Sequence, residues 1–169
     1  MSRKLIVSKP VQQWFKEYAR SHQHPTNKAI HWFMVPAIYF SIVGLLWSVP
    51  LPGTNSANSN ALCWLNLASL LAIPVHVFYF SLSKPLCLAM ALFTVSCFLV
   101  CDLITQFSPI AIWQVSLIIF VVAWIGQFIG HKIEGAKPSF LEDIQYLLIG
   151  PLWLMGFVFD YLGLDYQQK

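Results

Sequence analysis

From about Ile30 onward the chain is dominated by long apolar runs separated by short polar links. Four of them span about Ile30 to Val49, Leu62 to Phe80, Leu86 to Ile104 and Ile110 to Ile129. Each reaches or approaches the ~20 residues a helix needs to cross ~30 Å of hydrocarbon, so the pattern predicts four transmembrane helices. A fifth apolar stretch, about Ile144 to Leu164, is interrupted by Gly150 and Pro151 and has Asp160 near its end. It predicts either a fifth span or a broken C-terminal membrane helix, re-entrant or interfacial. Ahead of the first run the period changes. Val11, Trp14, Phe15 and Tyr18 recur at i, i+3, i+4 and i+7, which predicts an amphipathic helix over about residues 10–22. Pro10 suits its start, and Trp and Tyr suit a helix lying flat at the headgroup level. The expected fold is all-α, a single helical membrane domain over residues 1–169.

Composition strengthens this reading. Of the 169 residues 57% are hydrophobic and only 10% charged, whereas soluble domains carry about 25% charged residues. A soluble fold of this size cannot bury that much apolar side chain. No secretory signal pattern precedes the first run, so that run is expected to remain part of the fold. Cys63, Cys87, Cys97 and Cys101 lie in or beside apolar runs without a C-x-x-C pair, and read as reduced packing residues.

The charges orient the chain. Arg3, Lys4, Lys9, Lys16, Arg20 and Lys28 precede the first run, Lys84 lies between the second and third, and Lys132, Lys137 and Lys169 follow the fourth. The other two links hold no basic residue. With four spans all the basic residues share one side, which predicts that both termini are cytoplasmic, in a bacterial inner membrane or an endoplasmic reticulum membrane. The net charge of +3 reads as orientation and contact with lipid headgroups. No basic and aromatic interleaving suggests nucleic acid.

The five histidines fall on the same side. His22, His24 and His31 flank the start of the first span, His131 follows the fourth, and His76 sits somewhat deeper near the end of the second. On one straight helix, His22 and His31 would point to opposite sides. Pro25 biases His24 away from helical geometry and breaks the rod. Thr26 or Asn27 is then expected to cap a new helix, and the bend can bring His22 and His31 together. Near the end of the fourth span Gln127, His131 and Glu134 share one helix face. Gly126 and Gly130 form a small-xxx-small pair for close helix approach. Beyond the turn at Gly135–Pro138, Ser139 and Glu142 have capping-box spacing.

His22, His31 and His131 with Glu134 make a nitrogen and carboxylate donor set suited to non-haem Fe(II) with open positions, and zinc would fit the same ligands. Glu134 is thus a candidate ligand. His24 and His76 are weaker candidate ligands, and Asn27, Gln127 and Asp143 are candidates for holding the ligands in place. The same histidines are also compatible with interfacial residues that bond backbone and lipid phosphate. A haem- or lipid-binding protein without catalysis, or a structural membrane partner, therefore stays open.

The motif H-x-x-P-x-N-x-x-x-H at residues 22–31, followed by Val35-Pro36, is joined by Trp124, Gln127-Phe128-Ile129-Gly130-His131, Glu134, Pro138 and the Leu-Leu-x-x-Pro segment ending at Pro151. Taken together and in order, these resemble the small membrane family that includes the fungal 2-hydroxy fatty acid dioxygenase. The resemblance implies an Fe(II) enzyme that uses dioxygen to remove one carbon from a 2-hydroxy fatty acid, in fatty acid alpha-oxidation during phytosphingosine breakdown. It implies that His22, His31 and His131 hold the iron and that Glu134 matches a family acid. His24 and His76 fall outside the family motifs. Lys28, Lys132 or Lys137 would then attract the substrate carboxylate.

Overall fold

The computed structural model describes residues 9–52, 64–138 and 145–167. Six helices appear among them: α1 Val11–Ala19, α2 Pro25–Trp47, α3 Leu67–Leu82, α4 Lys84–Phe107, α5 Ile112–Glu134 and α6 Tyr146–Leu162. Helices α2, α4 and α5 are each long and apolar enough to cross a membrane. Helices α3 and α6, with 16 and 17 residues, are shorter, about 24 and 26 Å at ~1.5 Å per residue. The outward faces are mostly apolar. Leu88 and Leu92 on α4, and Ile118 and Val122 on α5, stand exposed where lipid would cover them.

Local chemistry explains most helix ends. Helix α2 starts at Pro25, whose missing N–H costs nothing in the first turn. Its cap is His24, whose Nδ1 accepts the Thr26 N–H at 3.1 Å. Neither Thr26 nor Asn27 caps it, because the proline sets the helix start two or three residues earlier and leaves both inside the first turn. Asn66 and Ser69 form a reciprocal capping box on α3, and Ser83 ends α3 while accepting the Leu86 N–H of α4. Helix α5 runs on past Ile129 to Glu134, so it carries His131 on its last turns. Gly135 then stops it at φ 74°, where a residue with Cβ would be strained.

Helices α2 and α5 form the closest pair. Small residues make it possible. A Cβ on Gly126 would come within 2.5 Å of the Met34 sulfur, one on Gly130 would run into Asn27 Oδ1, and one on Gly44 into Ser116. Two apolar cores lie at opposite ends of the bundle. One joins Val43 and Trp47 of α2, Ala68 of α3, Cys97, Phe98 and Cys101 of α4, and Ile112 of α5. The other joins α1 and α6 to Val35, Tyr79, Leu82, Leu86 and Met90.

Two expectations need correction. The C-terminal helix is not broken. Helix α6 runs unbroken through Gly150 and Pro151, and Ile149, Gly150, Pro151 and Leu152 are all buried. A proline is tolerated in such a helix where neighbours enclose it. All of α6's core partners lie at one end of the bundle, and none belongs to the opposite core. It therefore closes off that end. The apolar face of α1 is likewise covered by protein. Val11, Trp14 and Tyr18 are buried, with Trp14 edge-on to Tyr146 and Tyr18 against Trp153. Gly150 and Gly156 make room for Tyr18 and Phe15. The 3.6 period identified a buried face; α6 is what buries it.

Candidate metal centre

His22 lies in the link between α1 and α2, on the strap that Pro25 bends. Its Nδ1 is 2.7 Å from the Tyr18 carbonyl oxygen, and its ring stacks on the Tyr18 ring at 4.1 Å. One turn into α2, His31 Nδ1 is 2.9 Å from the Asn27 carbonyl oxygen. A carbonyl only accepts, so each Nδ1 carries the proton and donates it. In a neutral imidazole this leaves Nε2 as a lone pair. The two Nε2 atoms face one another at 2.9 Å. Two lone pairs at that distance repel, unless a proton or a metal cation sits between them. Burial pushes the His22 imidazole down to about 4, against the protonated form at neutral pH, and the bond to the Tyr18 carbonyl opposes this only partly.

His131 completes the group from α5. Its ring centroid is 5.0 Å from those of both His22 and His31, and its Nδ1 is buried without a hydrogen-bond partner. The ligand nitrogens of the three residues lie within 4.8 Å of one another, and all three residues are buried. The 2.9 Å spacing of the His22 and His31 Nε2 atoms fits a shared cation. Nitrogens held about 2.1 Å from one ion at a right angle are about 3.0 Å apart. The donation of the His22 and His31 Nδ1–H groups to backbone carbonyls is the usual way a ligating imidazole is oriented. Three imidazoles suit iron, zinc, copper or nickel alike.

The other expected site residues have separate places. Both Glu134 oxygens are engaged away from the three rings. Oε1 accepts the Gln23 N–H at 2.7 Å, while Oε2 accepts the His24 N–H at 2.8 Å and the Asn27 amide at 3.0 Å. The carboxylate thus clamps the strap that carries His22. Asn27 is fully buried and also donates to the Ser21 carbonyl at 3.2 Å, so it holds the strap from the α2 side. His24 is exposed and caps α2. His76 lies on α3 apart from the cluster, with Nδ1 2.8 Å from the Ala72 carbonyl and Nε2 3.4 Å from Thr94 Oγ1. Asp143 and Glu142 lie outside the described residues, as does Cys63. Tyr18, missed in the sequence, supplies both the ring under His22 and the carbonyl that orients it. Its i−4 spacing from His22 was the available signal, matching that of Asn27 from His31.

The three histidines stand at the head of a cavity of about 340 Å³. Gln127 lines it one turn from His131, and Trp124 follows one turn further along α5. Beyond this head end the walls are almost wholly apolar. The exceptions are Tyr39 and Thr94, whose hydroxyls are 2.6 Å apart and partner one another. None of Lys28, Lys132 or Lys137 lines the cavity, so any attraction they exert on a carboxylate acts at longer range.

The Mpo1-like family, described as "2-hydroxy-palmitic acid dioxygenase Mpo1-like", matches residues 8–162. The chain is also 27% identical over 140 residues to the 2-hydroxy-palmitic acid dioxygenase MPO1 of Saccharomyces cerevisiae, covering 82% of this chain and 73% of that protein. No solved structure matches. The matched region takes in the strap, the last turns of α5 and the whole of α6, and the chain belongs to the Mpo1-like family.

Proposed function

We propose that the chain is a non-haem Fe(II) dioxygenase of the membrane that removes one carbon from a 2-hydroxy fatty acid. The observation that carries this reading is the 2.9 Å approach of the His22 and His31 Nε2 atoms, beside the unpartnered Nδ1 of His131, at the head of an apolar cavity. The name of the yeast relative supports the substrate class. His22, His31 and His131 would hold the iron, which supplies the open-shell centre that dioxygen needs to react with a closed-shell acid.

The protein's own groups do the rest. The apolar walls exclude water from the head end and take the acyl tail. Gln127 offers an amide N–H to the carboxylate or hydroxyl beside His131. Glu134 and Asn27 hold the strap so that His22 stays opposite His31. In the overall reaction R–CH(OH)–COOH and O2 give R–COOH, CO2 and H2O. The bond between C1 and C2 breaks, the acid supplies every electron that reduces dioxygen, and no further reductant is needed. The topology that suits this reading has α2 to α5 crossing the membrane, with both termini and the histidines at the cytoplasmic face.

The spacing of His22 and His31 argues against haem held between that pair. Two imidazoles on opposite sides of a haem iron need nitrogens about 4 Å apart, further than the His22–His31 pair. The test is metal analysis of detergent-purified protein, wild type against His131→Ala, with turnover of 2-hydroxyhexadecanoic acid followed by oxygen uptake. Iron that the variant loses, with turnover only in the wild type, is the expected result. Wild-type protein that binds no iron when it is supplied, and consumes no oxygen with the acid, would overturn the reading.

A further inference from the structure

The tail end of the cavity has a floor. Along α2 the lining residues are His31, Val35, Ile38, Tyr39, Ile42, Val43 and Leu46, a stripe on one helix face. At ~1.5 Å per residue, His31 and Leu46 are about 22 Å apart along the axis. At Leu46 the cavity meets Ala68 of α3 and Phe98 of α4. Behind them the opposite core closes the space: Trp47 lies 5.4 Å from Phe98 and 5.6 Å from Trp64, and Trp64 lies 6.1 Å from Phe98. The long side is different. Helices α3 and α5 each pack on other helices but not closely on one another, and Leu71 both lines the cavity and is exposed. The compartment is therefore a slot, open sideways to lipid and blind at its far end.

We propose that this slot measures the acyl chain, with Phe98, Leu46 and Ala68 as the stop and the half-buried Ala72 as the narrowing side of the slot. The inference rests on the 2-hydroxy acid reading, since the histidines define where the chain begins. A saturated chain of ~1.5 Å single bonds advances about 1.25 Å per carbon, so ~22 Å accommodates about 17 carbons in extended form. Tyr39 and Thr94 satisfy each other, so the slot presents no unmet polar group halfway along and takes an unsubstituted tail. The tail slides in between α3 and α5 from the bilayer, and its methyl end comes to rest on Phe98.

The experiment is a ladder of saturated 2-hydroxy acids from about 8 to about 22 carbons. It is read twice: by turnover in iron-loaded protein, and by displacement of a fluorescent fatty acid from metal-free protein. In the wild type both readouts should peak near 16 to 18 carbons, about the reach of the slot, and fall at least about fivefold by 22. Ala72→Leu should move the peak down by about three carbons, and Phe98→Ala should move it up by a similar step. Ala72 lies partly exposed, so its variant keeps the test alive should Phe98→Ala fail to fold. Profiles that are flat, or that neither folded variant moves, would overturn the proposal. Displacement that follows the predicted lengths without turnover of any acid would uphold the slot and sink the dioxygenase reading instead.

Discussion

Asn27 donates its side-chain amide to Glu134 Oε2 at 3.0 Å, joining the first turn of α2 to the last turn of α5. The same carboxylate takes two backbone N–H groups from the strap. Glu134 would therefore act on a bound metal through the position of His22. Glu134→Gln replaces one acceptor oxygen with an N–H donor that faces other donors, and should weaken metal binding about 10–100-fold while leaving all three imidazoles in place. Metal titration of the variant beside His131→Ala, which should lose binding outright, checks this.

The two glycines of α5 should respond differently to alanine. Gly130→Ala drives a methyl group into Asn27 Oδ1, on a side chain already held by Ser21 and Glu134, and should cost about 1–3 kcal/mol together with metal affinity. Gly126→Ala meets only the Met34 thioether, which can swing aside, and should cost about 1 kcal/mol or less. Thermal unfolding in detergent, with metal content measured alongside, separates the two.

Acid should loosen the α1 contact before it destroys the bundle. The bond from Lys9, then that from Gln13, holds the Glu17 carboxyl down at about 2, and Tyr146 also donates to it at 2.9 Å. Because its folded value lies below the ordinary 4.5, its stabilisation is complete above about 4.5 and is lost as pH falls toward 2. The pair faces water, so the effect is small. Trp14 fluorescence should report the loosening, and Glu17→Gln should remove that step from the profile. In the metal-free protein His22 adds an earlier window. Its value drops from 6.5 unfolded to about 4 folded, so stability falls as pH is lowered from 6.5 to 4.

Thr94→Val is the control for the cavity wall. It strips the Tyr39 hydroxyl of its partner and should destabilise the protein by about 1–3 kcal/mol. Metal content should be unchanged, since neither residue touches the three histidines. Loss of metal in this variant would contradict the separation of tail slot from metal centre.

Much of the site was legible because its signals are local. The nine-residue spacing of His22 and His31 made sense only with a bend, and Pro25 supplied one. Helical spacing groups Gln127, His131 and Glu134 on one side of α5, and of these Gln127 and His131 line the cavity. The role of Glu134 was not legible, because helix spacing says which side chains share a face and not what crosses to meet them. Its partners, two backbone N–H groups and the Asn27 amide, lie far away in sequence. The α6 helix misled for a related reason. Gly150 and Pro151 weaken an isolated helix, but here Gly150 admits the Tyr18 ring and the segment is buried on all sides. The apolar face of α1 was clear and its cover was not, since Trp and Tyr suit a lipid headgroup and a protein neighbour equally.

The clamp between Gln23 and Glu134 joins positions 111 residues apart. During synthesis the strap with His22 and His31 leaves the ribosome first, and its third imidazole and its clamp follow only with the end of α5. Until then the early pair has no carboxylate to fix it and no His131 to complete it. The three-histidine cluster is thus assembled late, after the long helices have been made, and its completion marks the closing of the last turn of α5 onto the strap.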